Sequence, residues 1–264
     1  MVMGDVRLLV RADDAGSSWS SNVGCLRACT DGIARSVEVM MPCGWTTHAA
    51  EILNNHPEID VGIHLTLTSE WNAVKWRPLT QARSLTDNMG NFLPLLTPRK
   101  GDIRPSLQNS DWSLDEIASE FRAQVSLGIA EFQHASHVSS HMLKHFKDFD
   151  ARLGDVISEL CEEFGLKDDA FGHGLPRIEG YPKFPRDTDK RVEAFARQLD
   201  ELEAGTYIFI DHPAVVSQEL GVTGHHGYED VAQDRVTCLE TLTSPLLRER
   251  IEQIGIELIS YRDL

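Results

Sequence analysis

Short apolar runs alternate with longer stretches of helical periodicity along this chain. The runs VRLLV (6–10), SVEVMM (36–41), DVGIHLTL (60–67), SHVSS (136–140), TYIFI (206–210) and IELIS (256–260) predict strands, and LPRIE (175–179) predicts a weaker seventh. Helices are predicted between them, near 20–33, 46–55, 113–133, 148–164, 187–203 and 230–253. The third opens on a capping box, Ser113 with Glu116, and its apolar residues Ile117, Phe121, Val125 and Ile129 recur every four positions, marking one buried face. Strand–helix alternation over the whole length implies a parallel sheet, because each parallel crossover takes a helix. About seven such strands predict an α/β fold closed, or nearly closed, into a (β/α) barrel. No linker divides the chain, so residues 1–264 read as a single domain. The stretch 72–112 departs from the alternation. It holds prolines, glycine and mixed polar residues (TPRKGDIRPS at 97–106) and reads as a long insertion after the third strand, on the face where barrel active sites sit. It is expected either to shape the way in for substrate or to build the contact of a homodimer.

Composition narrows the class. Hydrophobic residues make up 41% and charged residues 25%, as in soluble globular proteins. The net charge of −16 argues against nucleic acid as a partner, since neutralising phosphates needs a basic surface, and against docking on an anionic membrane. Five cysteines at 25, 29, 43, 161 and 238 form no tight framework, which suits reduced thiols and a cytoplasmic location. The opening MVMGDVRLLV has no basic segment and too short an apolar run for a signal peptide, and no window is apolar enough for a membrane span.

The residues able to bind metal gather at strand ends. Asp13 and Asp14 follow the first run, His64 lies late in the third, His141 follows the fourth and His212 follows TYIFI. In a parallel barrel these ends face one rim, so one site can collect all five. Each has a plainer use when taken alone. Asp14 would cap the next helix, His64 would be a hydrogen-bonded core residue, His141 one of a chance surface pair with His137, and His212 would end a strand before Pro213. Four independent strand ends carrying the same chemistry favour the shared site. Imidazole with carboxylate suits a divalent metal such as zinc, and pure oxygen ligation would suit magnesium. One Asp and two His leave positions open, and a second carboxylate alongside can take a proton from water. Of the tryptophans, Trp71 follows the third strand and is the foremost candidate for a flat stacking surface, ahead of Trp19 and Trp76.

Six motifs then carry a resemblance: ADDAG (12–16), Ser18 to Ser36 with Asn22, Gly24, Ala28 and Gly32 in place, GIHLTLT (62–68), SHVSSHML (136–143), His212-Pro213-Ala214 and SYRDL (260–264). In order and spacing the chain resembles the YdjC-like carbohydrate deacetylases, which include the chitooligosaccharide deacetylases. The resemblance implies a distorted TIM-like barrel of about seven strands and metal-dependent removal of N-acetyl groups from amino sugars, with an acetylated carbohydrate as partner. It implies that Asp14, His64 and His141 bind one divalent ion, Mg or Zn, and that Asp13 is the general base. His212 would protonate the leaving amine or hold the acetyl group. Arg177 would contact substrate or orient a carboxylate. Three positions depart from the family pattern: Ala15 stands for its phenylalanine, Ser139 for an aspartate, and the family's histidine run is reduced to His141. The Ser139 change removes an expected carboxylate beside the ligands or substitutes a hydroxyl. Two other functions fit the same residues: amide or ester hydrolysis on a non-sugar substrate, and carbohydrate binding without catalysis.

Overall fold

The computed structural model describes residues 5–264. The expectation of no signal peptide concerns in part residues 1–4, which lie outside the described residues. In chain order the elements are β1 (Val6–Ala15), α1 (Trp19–Thr30), β2 (Ser36–Val39), α2 (Thr46–Leu53), β3 (Asp60–Leu65), α3 (Leu114–Glu131), β4 (Ala135–Ser140), α4 (Ala151–Phe164), α5 (Thr188–Asp200), β5 (Gly205–Asp211), α6 (Val231–Leu242), α7 (Pro245–Ile254) and β6 (Glu257–Ile259). The strands form one parallel sheet in the order β4-β3-β2-β1-β5. The long β1 also pairs with β6 at Arg7–Leu9, below the point where its pairing with β2 begins at Arg11. No helix among the described residues is long and apolar enough to cross a membrane.

Among the described residues the sheet is a curled half-barrel of six strands, not the expected seven. The seventh candidate, 175–179, contributes only one bridge, Arg177 to Ile208, held by Ile178 N–H to Ile208 C=O and Ile208 N–H to Pro176 C=O at 2.9 Å each. Pro176 has no N–H to extend the ladder, and Gly174 and Gly180, both at positive φ, turn the chain away on either side. A matching stub at Lys167 bridges His137 on the outer edge of β4. The helix expected over 230–253 is two, because Pro245 cannot sit inside a helix and instead starts α7 at its first turn.

Local signals explain most other boundaries. Ser18 caps α1, accepting from Ser21 N–H at 2.9 Å, and Asp150 and Asp187 cap α4 and α5. Ser113 caps α3, yet the capping box is only half formed. Glu116 turns away to accept from the amide and hydroxyl of Ser84, 2.7 Å each, and so ties the 72–112 tract to the helix. Glu120 does the same for Leu79 and Thr80. The stripe on α3 holds for Ile117, Phe121 and Val125, which are buried, but Ile129 is only partly so. A strict spacing of four drifts about 40° per step around a helix, and by that turn Gly128 has taken the inner position against Ile63.

The strand faces divide the core. Leu8, Val10 and Ala12 point outward into the main apolar cluster with the helices. Leu9 points inward with Ile208, Ile210, Ile259 and Tyr261, a small apolar plug at the bottom of the half-barrel. Above that plug the interior is polar, and there the candidate site lies.

Candidate active site

Alternation along β1 places Arg11 and Asp13 inside and would place Asp14 outside. The register with β2 slips between Ala12 and Ala15, and Asp14 adopts φ +72°. Aspartate enters this left-handed region more readily than most residues. The bulge rotates the second carboxylate inward, so two successive acids face one cavity. Asp14 is not a helix cap, since Ser18 fills that role, and its carbonyl accepts from Ser17. After β4 a second left-handed residue, Met142 at φ +70°, follows His141 directly.

All seven sequence-predicted residues, Asp13, Asp14, His64, His141, His212, Trp71 and Arg177, line one cavity of about 430 Å³. Asp14, His64 and His141 each offer a ligand atom within 4.8 Å of the others, and all three are buried. His141 Nδ1 lies 3.3 Å from Asp14 Oδ1, yet neither atom has a hydrogen-bond partner among the described residues. His64 Nε2 lies 3.8 Å from the same oxygen and 3.7 Å from Asp13 Oδ2. Buried polar atoms left unpaired are costly. Two such atoms, joined by His64 Nε2, converge from a carboxylate and two imidazoles and fit a divalent cation of the nitrogen- and oxygen-tolerant kind.

Each polar partner is itself held. Arg11 grips Asp13 with both arms, at 2.7 and 2.9 Å, and its third donor reaches Asp169 at 3.2 Å and Tyr261 OH at 3.0 Å. Arg235, from α6, pairs with Asp14 Oδ2 and leaves Oδ1 for the cavity. Glu70 meets His141 Nε2 at 3.2 Å, so Nδ1 is the nitrogen presented inward. His64 Nδ1 meets Ser139 Oγ at 2.7 Å, so Nε2 is presented. His212 Nδ1 lies 3.4 Å from Asp211 Oδ1.

These neighbours set the charges. Burial pushes the Asp13 carboxyl up, and Arg11 and His212 offset only part of that, leaving it at about 6. Burial acts on Asp14 in the same sense, but Arg235, His212 and His141 together hold it well below the usual carboxylate range. Burial, reinforced by His141 and Arg11, keeps His64 neutral, with a free lone pair. Burial opposes charge on His141 too, yet Glu70 and Asp14 raise it to about 10. His212 is also raised, as Asp14 and Asp211 outweigh its burial.

Two predicted residues sit differently from expectation. Trp71 is only 5% exposed: His225 stacks on it with ring centroids 5.7 Å apart, and the Arg235 guanidinium lies 5.3 Å from the ring. It anchors the 225–228 turn and leaves little open face. Arg177 donates to the Ile210 carbonyl at 3.1 Å and touches no carboxylate among the described residues, so of its two expected roles only contact with substrate fits its place in the cavity lining. With Arg99, Lys144 and Lys183 it lines the cavity with positive charge on an acidic chain.

Arg11, Glu38, Glu70 and Arg235 were missed by the sequence reading. For Arg235 and Glu38 one signal could have found them: a charged residue at a position that periodicity assigns to the core. Arg235 sits on the buried stripe Val231, Arg235, Cys238, Leu242, and Glu38 lies inside the apolar strand SVEV.

A second group able to hold a metal, His145, Asp168 and His173, lies apart from the cavity. It is a closed hydrogen-bonded set. His145 Nδ1 accepts from Lys147 N–H, so its proton is on Nε2 and donated to Asp168 at 3.0 Å, while His173 takes the other carboxylate oxygen at 2.7 Å.

A family profile described as YdjC-like protein matches residues 7–253. The chain belongs to the YdjC-like family. Among similar proteins, a chitooligosaccharide deacetylase of Yersinia enterocolitica is 31% identical over 97% of this chain and 98% of its own. A carbohydrate deacetylase of Geobacillus stearothermophilus is 29% identical over 97% and 96%. The YdjC-like chain also superposes on a crystal structure from Enterococcus faecalis V583, of a protein proposed to cleave cellobiose-phosphate. The TM-score is 0.77 at 22% identity, over 98% of this chain and 99% of that one, which is a likeness of fold.

Proposed function

We propose that the protein is a metal-dependent carbohydrate deacetylase, removing N-acetyl groups from amino sugars or chitooligosaccharides. We read the whole chain as one domain, with the 72–112 tract inserted beside the cavity. The observation that carries the reading is the convergence of three buried residues, Asp14, His64 and His141, beside an independently held carboxylate, Asp13, with Asp14 Oδ1 and His141 Nδ1 buried and without a hydrogen-bond partner among the described residues. The names of full-length relatives point to the same chemistry.

A divalent cation held by Asp14, His64 and His141 would polarise the acetyl carbonyl and acidify a water. Asp13, fixed by Arg11, takes the proton from the attacking water. Arg235 keeps Asp14 ionised and turned toward the cavity. His212, on the β5 side, gives a proton to the departing sugar amine. The positive side chains around the cavity hold the polar substrate against the site.

The test is acetate release from N-acetylglucosamine oligomers by protein stripped with chelator and then supplied with zinc, magnesium or manganese(II). Metal analysis of His64→Ala and His141→Ala is done alongside. Activity restored by a divalent metal, and lost together with bound metal in both variants, is expected. Equal activity in the stripped protein, or undiminished metal in both variants, would overturn the reading. Cleavage of simple acyl amides with no action on acetylated sugars would move the substrate outside carbohydrates.

A further inference from the structure

The carboxylate that steadies His64 comes from the neighbouring strand β2 and acts through a hydroxyl on β4, on the other side of β3. Ser139 stands next to His64 across the β3–β4 ladder, and a hydroxyl has one proton to give. That proton goes to Glu38 Oε2, so Ser139 Oγ accepts from His64 Nδ1–H at 2.7 Å. The chain of donors therefore runs one way, from imidazole to hydroxyl to carboxylate. It fixes the His64 tautomer with the Nε2 lone pair toward Asp14.

Glu38 lies on β2 and Ser139 on β4, with β3 between them. The side chain crosses over Gly62, which pairs with Glu38 on one side and His137 on the other. A Cβ at Gly62 would lie 2.1 Å from Glu38 Oε2 and 2.4 Å from His137 Nε2, so only glycine leaves the passage open. The other carboxylate oxygen accepts from His137 Nε2 at 2.8 Å and Ser36 Oγ at 3.0 Å. Glu38 is wholly buried, and every one of these bonds aims it at Ser139.

We propose that Glu38 is a positioning residue of the metal site, acting on His64 through the Ser139 hydroxyl. The proposal rests on the metal-site reading above. It assigns to this chain a carboxylate–hydroxyl–imidazole relay in place of a carboxylate bonded to the imidazole itself. Partners of this kind are worth roughly 10- to 100-fold in metal affinity.

The experiment measures zinc and manganese(II) dissociation constants of the full chain by chelator competition, with the fold of each variant checked by circular dichroism. Ser139→Ala and Glu38→Gln are each expected to weaken binding about 10- to 100-fold, and Ser139→Thr, which keeps the hydroxyl, to stay within about threefold of wild type. The double variant E38Q/S139A should bind no more weakly than S139A alone, because the relay is already broken. In the double variant E38Q/S139D a carboxylate bonds His64 directly, and affinity should return. A full additional loss in E38Q/S139A, or affinity unchanged in both Glu38→Gln and Ser139→Ala, would overturn the relay. Wild-type protein that binds neither metal would instead overturn the metal-site reading beneath it.

Discussion

Replacing Asp13 with asparagine separates proton transfer from metal binding. The change preserves volume and keeps one acceptor oxygen for Arg11, while the new amide must face a guanidinium arm that now has no carboxylate. Breaking a buried ion pair usually costs roughly 3–5 kcal/mol. Arg11 retains Asp169 and Tyr261 at 3.2 and 3.0 Å, so its charge is not stranded and the cost should fall at the low end, about 3 kcal/mol. Asp14, His64 and His141 keep their own partners, Arg235, Ser139 and Glu70. Metal content should therefore stay near one per chain. Turnover should fall by the 10²–10⁴-fold typical of a lost general base, roughly 3–5 kcal/mol on the barrier. The assay is acetate release from N-acetylglucosamine oligomers at saturating metal, with elemental analysis and a denaturant curve on the same preparation. Turnover within about tenfold of wild type, in folded and metal-loaded Asp13→Asn, would refute the base assignment. Loss of metal in this variant would refute the division of labour between the two acids.

Two further outcomes test the scaffold. Gly62→Ala should destabilise the fold by about 2–4 kcal/mol, because its Cβ collides with the Glu38–His137 pair; a denaturant midpoint equal to wild type would contradict the crossing. Asp168 supplies a pH test. Burial raises its pKa, but hydrogen bonds from His145 and His173 bring it down to about 2 from an ordinary 3.8. A depressed carboxylate stabilises the fold above its unfolded pKa and loses that effect as pH falls toward the folded value. The gap in unfolding free energy between wild type and Asp168→Asn should thus be present at pH 7 and shrink between about pH 4 and 2. Full shelter would make this term about 2 kcal/mol, and partial exposure screens it to about 1. A gap independent of pH would argue against the pairing.

Much of the frame was legible because its signals are local. Six apolar runs became the six strands, and caps such as Ser113 and turn-makers such as Gly165 and Gly255 bound the helices. The polar strand ends met in one cavity as their shared position on a parallel sheet required. What stayed hidden was set by contacts far apart in sequence. LPRIE has strand-like composition, yet Pro176 and two glycines stop it from entering the ladder as more than a bridge. Trp71 reads as an exposed platform until the 225–228 turn folds over it. Glu38 reads as an interruption of an apolar strand, and two of its partners, His137 and Ser139, lie 99 and 101 residues away. Asp14 could face the site only through a bulge, and no motif states a φ angle; the need for one followed from the alternation of strand faces, not from the residues themselves.

The two stubs at Lys167 and Arg177 lie on the outer edges of β4 and β5, the outermost strands of the curled sheet. An open parallel sheet normally offers a row of free N–H and C=O groups at each side, a template on which another chain can assemble. Here a single linking segment, 167 to 178, occupies both flanks and passes through an exposed turn at His173 and Gly174. Resistance to strand-to-strand self-association thus depends on a dozen residues that contribute almost nothing to the sheet itself. A protease nick in that turn would leave Asp14, His64 and His141 on their own strand ends while unlatching both margins at once, together with Arg177 and the Asp169 that holds Arg11, giving a chain that tends to aggregate.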